Sequence, residues 1–481
     1  MRWAFASNLL LLLAANAVVK PLYLLGVELG VQNAVGTSAY GRYATWFAFA
    51  FLFGVLHDAG LQNYNAVTLS KSPELLKQRL PVMLGLKLGL SLLFTLIVLG
   101  AAALFGEPSW LDWQLVGLAV LYHVVLGLLQ LLRTNLGAQE RYGLNTVVSV
   151  ADKALLVVVL GAVLLVPDWR EQLTTRSFFM AQILALVFAS VLALVFTKLP
   201  QDQAFLRFDR TASLELLRAA APFGLLLVLS TAAAKVDIVM LERLQGPYPA
   251  GVYAGAYRLL DGTNMVGYMF ATLLLPMLSK LVAERAPQLP LLRQASGYML
   301  ALGLGAAALT TFHADVVVGL LYREADAQWA MTLAVLMWAS IGVGLTYIYG
   351  SYLLAHAQLR WVNWAYALAL VANVALNAAL IPPYGPLGAA LATVCTQVAV
   401  SLAAALYARG LAPSGDGGAS LPWLRGLGFG LACLALSYGL TLLHQSWYVL
   451  FALYAFVGGA LALLTGLVDD PRLLVRRVRA R

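Results

Sequence analysis

Long apolar runs follow one another along the whole chain, separated by short polar connections. They lie at about residues 3–28, 39–69, 80–105, 114–136, 146–166, 176–197, 219–242, 252–281, 295–321, 329–355, 361–381, 386–407, 424–443 and 447–468. Each is close to or above the roughly 20 residues that a helix needs to cross the hydrocarbon of a bilayer. None alternates with a period of two, so the pattern predicts helices and excludes a β-barrel. The chain is expected to be an all-α polytopic membrane protein with 14 transmembrane helices. Its start, Leu9–Leu13 followed by Ala15-Asn16-Ala17, has the form of a signal-peptide core and cleavage site. The apolar run continues beyond it through Leu29, and cleavage would leave an odd number of spans, so an uncleaved first span is expected.

Composition sharpens this picture. Of 481 residues, 61% are hydrophobic and only 11% charged, less than half the charge of an ordinary soluble chain. A disordered protein, a nucleic-acid-binding module and a typical cytosolic enzyme are thereby excluded. The net charge of +9 follows from the bias of cytoplasmic loops toward Lys and Arg. With both termini in the cytoplasm, 21 basic residues fall inside and five outside, the five being Arg42, Arg170, Arg176, Arg243 and Arg323. One missed span would scramble that asymmetry, so it supports the even count. Cys395 and Cys433 both lie in apolar runs, which argues against a disulfide framework or a cysteine-rich metal site.

The halves of the chain repeat each other. Gly36-Thr37-Ser38-Ala39-Tyr40-Gly41-Arg42-Tyr43 and Gly246-Pro247-Tyr248-Pro249-Ala250-Gly251-Val252-Tyr253 share G-x-x-x-x-G-x-Y, 210 residues apart. Ala138-Gln139-Glu140-Arg141-Tyr142 and Ala357-Gln358-Leu359-Arg360-Trp361 share A-Q-x-R-aromatic, 219 residues apart. An even number of spans per unit makes the repeats parallel. The expected organisation is therefore a six-helix lobe at 1–197, a cytoplasmic connection at 198–218, a second lobe at 219–407, a soft linker at 408–423 containing Pro413–Gly418, two extra helices at 424–468 and a basic tail at 469–481. The lobes are expected to enclose a central cavity. The 198–218 connection mixes Leu206, Phe208, Leu214 and Leu217 with charges and reads as a partly amphipathic surface segment.

Charge inside a span is costly and usually faces protein or water, so each instance is a candidate for function. The basic ones are Lys20, Lys87, Lys153, Lys235 and Arg258; the acidic ones in or near spans are Glu28, Asp58, Asp152, Asp237 and Asp261. Arg258 and Asp261 are spaced to pair on one face, whereas Asp152–Lys153 and Lys235–Asp237 point in different directions and would need partners on other helices. In the eighth span Tyr253, Tyr257, Asp261, Asn264, Tyr268 and Thr272 trace one helical face. That stripe suits either a wet, sugar-binding cavity or a polar seam between helices. His123, Gln130 and Thr134 make a shorter stripe beside Arg133, while Asn373 and Asn377 read as interhelical glue. His57-Asp58 near the inner end of the second span reads first as a boundary pair meeting lipid headgroups, second as a proton or cation site. The candidate substrate residues are accordingly Lys20, Lys87, Lys153, Lys235, Arg258, Tyr257, Asp261, Asn264 and Tyr268, with Asp58 and Asp237 as candidate ion-coupling carboxylates. No P-loop, zinc-protease or serine-hydrolase motif is present, so neither an enzyme nor a metal or other cofactor is expected.

Asn373-Val374-Ala375-Leu376-Asn377 leading to Ile381-Pro382-Pro383-Tyr384-Gly385-Pro386-Leu387-Gly388-Ala389-Ala390-Leu391-Ala392-Thr393 resembles a segment of the bacterial polysaccharide (O-antigen-type) flippases. Gly36…Tyr43, Asp58-Ala59-Gly60-Leu61, Gly251-Val252-Tyr253 and Ala256-Tyr257-Arg258 are similar as well. These flippases belong to the multidrug/oligosaccharidyl-lipid/polysaccharide exporter superfamily, and the resemblance extends over essentially the whole chain. It implies an inner-membrane carrier that moves a polyprenyl-pyrophosphate-linked oligosaccharide to the periplasmic leaflet, in contact with membrane lipid and with polysaccharide polymerase or ligase machinery. A monomer that binds no nucleic acid is expected. The alternatives are a cation-coupled drug antiporter of the same superfamily, a flippase for lipid-linked peptidoglycan precursors, and a membrane transferase using Asp112, Asp168 or Glu171.

Overall fold

The computed structural model describes residues 16, 18–62, 74–105, 111–139, 141–197, 206–411, 423–443 and 445–468. Most of the Leu9–Ala17 stretch, the Pro413–Gly418 linker and the Arg472–Arg481 tail lie outside the described residues. Every regular element among those described is helical. A π-helical stretch, Leu22–Glu28, runs into α1 (Leu29–Val35); α2 (Thr37–Leu52) and α3 (Val55–Asp58) follow. Then come α4 (Glu74–Phe105), α5 (Trp113–Ala138), α6 (Tyr142–Leu165), α7 (Pro167–Glu171), α8 (Thr175–Phe196) and α9 (Arg210–Gln245). The remainder consists of α10 (Pro247–Ala283), α11 (Leu289–Leu321), α12 (Ala327–Leu336), α13 (Ala339–Ala355), α14 (Leu359–Tyr384), α15 (Pro386–Leu411), α16 (Trp423–Thr441) and α17 (Trp447–Leu464).

Eleven segments among the described residues are long and apolar enough to cross a membrane. They correspond to the expected third to sixth and eighth to fourteenth spans. The expected first and second spans run into residues outside the described set, and the seventh is α9. At 36 residues α9 is longer than the 219–242 run, because Asp209 caps it early: its carboxylate accepts the Ala212 N–H at 3.0 Å. The end of the 198–218 connection is therefore helix, and Arg207 ahead of it donates its backbone N–H to Pro81 O at 3.0 Å.

The chain forms two compact units, Met1–Glu242 and Arg243–Arg481. In the first, α8 packs on α5 and α6, α2 on α5, and α3 on α4. In the second, α15 packs on α13 and α14, α10 on α13, and α11 on α16. Leu88, Val158, Val195, Leu368, Leu406 and Phe456 are exposed, as apolar residues are where lipid is the solvent. Such a molecule is held by close packing and internal hydrogen bonds more than by apolar burial.

The two units use the same local devices. Gly36 and Gly246 open α2 and α10 with φ of 86° and 90°, a left-handed geometry that a side chain strains. Seven residues on, Tyr43 donates to Gln182 of α8 at 3.0 Å, and Tyr253 bonds Thr393 of α15 at 2.9 Å. Asp112 caps α5 through the N–H groups of Gln114 and Leu115 at 3.0 and 3.1 Å; Asp326 caps α12 through Gln328 and Trp329 at 2.9 and 3.1 Å. The positions matched in the G-x-x-x-x-G-x-Y motif thus carry alike turns and alike cross-helix tyrosine bonds.

Candidate functional site

Among the described residues, three groups of polar side chains are considered in turn. The first joins α3, α4 and α5. Asp58 ends α3, Ala59 turns left-handed at φ 49°, and Gly60 continues at φ 81°. A Cβ on Gly60 would stand 2.5 Å from both Ala220 O and Gly224 N of α9, so this break is wedged against another backbone. Beside it, Lys87 Nζ lies 3.2 Å from His57 Nδ1 and 3.7 Å from Asp58 Oδ1. His57, Asp58 and Lys87 are 6%, 2% and 2% exposed. The expectation that His57-Asp58 meets headgroups is therefore overturned: the helix break folds the pair back onto Lys87. His57 stacks edge-on against Phe94, which also neighbours His123 of α5. Gln62 donates to Gln130 of α5 at 2.8 Å, and Thr134 donates to Gln130 O at 2.9 Å, so the α5 stripe serves this same junction.

The second group joins the first span to α5 and α6. Lys153 Nζ sits 4.3 Å from the centre of the Tyr23 ring and 3.5 Å from Asp152 Oδ2. The adjacent Asp152 and Lys153 do pair, contrary to the expectation from their directions on the helix, because the long lysine stem curls back over its own turn. Tyr23 is fixed from behind: Gln182 donates to its hydroxyl at 2.7 Å. The π-helical stretch that presents Tyr23 starts directly after Pro21, which lacks the N–H of a regular turn. Asn16 donates to Ser149 of α6 at 3.2 Å. Lys20 is half-buried and lies within electrostatic reach of Arg133, Asp152 and Lys153; Arg133 donates to Asn145 at 3.3 Å. Three cations thus share one region with Asp152 and Glu28. Half-buried ammonium and guanidinium groups so placed can hold phosphate oxygens by charge-assisted bonds.

The third group lies along α10 in the second unit, and its stripe changes character along its length. Tyr253 is buried against Thr393; Tyr257, Asp261 and Asn264 are half-buried; Tyr268 is 57% exposed. Asn264 donates to Asp261 at 3.4 Å. Arg258 is buried on another face of the helix, where it donates to the Tyr322 hydroxyl at 2.9 Å, and Tyr322 in turn donates to Gly255 O at 2.9 Å. On α9, Lys235 is half-buried and Asp237 only 1% exposed. Of the sequence candidates, then, Lys20 and Lys153 come together, Lys87 joins Asp58, and Tyr257, Asp261, Asn264 and Tyr268 share a face that leaves Arg258 behind.

The family described as "Polysaccharide biosynthesis protein" matches residues 5–282, more than half of the chain. The chain belongs to this family. Among solved structures it is similar to the "Lipid II flippase MurJ, inward closed conformation", with TM-score 0.71 and 15% identity over 98% of this chain and 100% of that one. It is also similar to an inward-facing multidrug resistance MATE transporter of the MOP superfamily, with TM-score 0.65 and 14% identity over 84% and 98% of the two chains. A MOP transporter from Pyrococcus furiosus, described as having a binding pocket of reverse polarity, gives TM-score 0.58 and 15% identity over 84% and 95%. No curated protein matches the chain. This member of the polysaccharide biosynthesis family thus shares the many-helix fold of these transporter structures.

Within this family member the resembling segment has a structural task. Asn377 donates to Asn373 at 2.9 Å and Asn373 to Thr396 at 3.4 Å, closing α14 onto α15. Gln245 donates to the carbonyls of Ile381 and Pro382 at 3.3 and 2.9 Å, ahead of the turn at Gly385. A Cβ on Gly388 would meet Leu380 O at 2.1 Å. Sequence reasoning missed Arg133 as a member of the Lys20–Lys153 group because its position suits the inner connection. Its place inside the α5 helix, more than five turns from the start and beside the α5 stripe, was the available signal.

Proposed function

We propose that this protein is a flippase that carries a polyprenyl-pyrophosphate-linked oligosaccharide from the cytoplasmic to the outer leaflet of a bacterial inner membrane for polysaccharide biosynthesis. The observation that carries this reading is the Lys20–Arg133–Lys153 group within the spans of the first unit, in a chain of the polysaccharide biosynthesis family. A pyrophosphate must leave water to cross about 30 Å of hydrocarbon, and cations in low dielectric offset much of that desolvation. Tyr257, Asp261, Asn264 and Tyr268 offer ring faces and hydrogen-bonding groups to sugar hydroxyls. The prenyl chain stays in lipid while the headgroup moves. The proposed organisation is the parallel pair of lobes at 1–197 and 219–407, both termini cytoplasmic, with release of the glycan lipid to polymerase or ligase machinery.

Complementation in a glycan-flippase-deficient bacterium tests this. Wild type restores surface polysaccharide, and Lys20→Glu combined with Lys153→Glu abolishes it at matched expression, since charge reversal repels pyrophosphate. Asp168→Asn and Glu171→Gln retain export, which a transferase using those carboxylates would not. The likeness to the lipid II flippase favours one second reading, a peptidoglycan-precursor carrier, which shares the pyrophosphate chemistry. Rescue of a strain lacking its lipid II flippase, without restoration of surface polysaccharide, selects that reading instead.

A further inference from the structure

The first unit also carries an open groove of about 300 Å³ along α4, α5 and α8. Its walls come from positions within 84–91, 124–132 and 187–194, and from Leu206 ahead of α9. Both α4 and α8 supply positions spaced i, i+3, i+4 and i+7, starting at Leu84 and Val187, so each turns one face to the groove. The interior suits hydrocarbon. Lys87 shows it the methylene stem, since its ammonium is turned to His57 and Asp58, and Ser190 directs its hydroxyl to Leu186 O at 2.7 Å. A polar ligand would lose its water there without gaining hydrogen bonds. The rim faces lipid, with Leu88 48% and Val191 55% exposed. One end is different. Successive spans alternate in direction, so Leu84 near the start of α4 shares that end with Leu132 and Leu194 near the ends of α5 and α8, and with Leu206. The segment at 206–208 forms a lip over it: Arg207 donates its N–H to Pro81 O at 3.0 Å, and a Cβ on Gly85 would stand 2.5 Å from Arg207 O. The lip is basic. Arg207 and Arg210 are exposed, Asp209 meets Arg207 at 3.3 Å while capping α9, and Arg141 donates to Phe196 O at the end of α8.

We propose that this groove is a binding site for an anionic glycerophospholipid of the membrane, with one acyl chain lying between α4, α5 and α8 and the phosphate at the arginine lip. The dimensions select the occupant. A volume of about 300 Å³ holds roughly ten methylene groups, each close to a water's share of ~30 Å³. Seven residues of α4 give the groove a length of roughly 10 Å, which fits part of an acyl chain and falls far short of a polyprenyl chain. The charge selects the headgroup, because exposed arginines at the end of a span attract anionic lipid. Once bound, the lipid ties the lip at 206–208 to three spans and stabilises the first unit by its binding free energy. The inference uses neither the Lys20–Arg133–Lys153 group nor transport, so its failure is separable from failure of the glycan-lipid reading.

The test uses the purified full-length protein in phosphatidylcholine nanodiscs containing a minor fraction of phosphatidylglycerol with a photoactivatable diazirine midway along one acyl chain. Labelled positions are mapped by mass spectrometry in wild type, in Val191→Trp and in the double variant Arg207→Gln with Arg210→Gln. All three substituted side chains are exposed, so the variants are expected to keep the fold, checked by gel filtration. Wild type is expected to be labelled within 84–91, 124–132 and 187–194 well above the exposed reference positions Leu368 and Phe456. Loss of both arginines lowers groove labelling about five- to twenty-five-fold, since one basic residue at a membrane surface is worth about a factor of five in affinity. Val191→Trp lays an indole across the rim, removes groove labelling and leaves the reference positions as they were. Equal groove labelling by a diazirine-bearing phosphatidylcholine, or labelling indifferent to the two arginines, overturns the proposal. So does displacement of the probe by a polyprenyl phosphate at lower concentration than by unlabelled phosphatidylglycerol, which would assign the groove to a prenyl chain.

Discussion

At the scale of single residues, the junction around Lys87 is decided by contacts that leave no spare volume. A Cβ on Gly127 would lie 2.7 Å from Lys87 Nζ and 2.8 Å from His57 Cε1. The lysine tip can retreat, but the imidazole is braced by Phe94. Gly127→Ala is expected to cost about 1–3 kcal/mol, read as a lower thermal midpoint in detergent. Gly89→Ala on α4 has nothing within 4 Å of its new Cβ and is expected to be neutral or slightly stabilising. The same scale explains why Asp152 and Lys153 pair. Two neighbours on a helix point about 100° apart, yet a lysine spans that arc when a tyrosine ring below it offers a second attraction.

At the scale of elements, breaks and turns are where backbone meets backbone. Gly60 combines a φ of 81° with an approach to Ala220 O and Gly224 N that no side chain tolerates. Gly60→Ala is expected to destabilise by about 3 kcal/mol or more, visible as loss of the monodisperse gel-filtration peak. Gly388→Ala meets the Leu380 carbonyl at 2.1 Å and is expected to open the α14–α15 hairpin with a similar loss. Both glycines fall in segments quoted for the family resemblance, and the tertiary structure gives the physical reason: they permit close passage of helices that a methyl group would separate.

At the scale of the whole molecule, the proposed orientation follows from charge. In a background with Cys395 and Cys433 replaced by serine, Glu171→Cys and Arg323→Cys are expected to react with a membrane-impermeant maleimide in intact cells. Arg360→Cys is expected to react only after permeabilisation. The reverse pattern would sink the inside-positive reading and the topology built on it.

The hydropathy pattern by itself determined the class of the fold, because a span is a local property of about 20 residues that must satisfy its own backbone in lipid. The shared G-x-x-x-x-G-x-Y motif likewise marked two alike turns, since Gly36 and Gly246 each act within their own turn. Tertiary structure alone decided which charges meet. Lys87 lies 30 residues from His57, Lys153 is 130 residues from Tyr23, and only folding puts them in contact. It also decided that His57-Asp58 is interior, because the left-handed break after Asp58 re-aims the helix end. Tyr253 and Tyr268 stand on the same stripe, yet one is buried and the other exposed. Periodicity assigns a face to a helix; what covers that face depends on the neighbours that packing supplies.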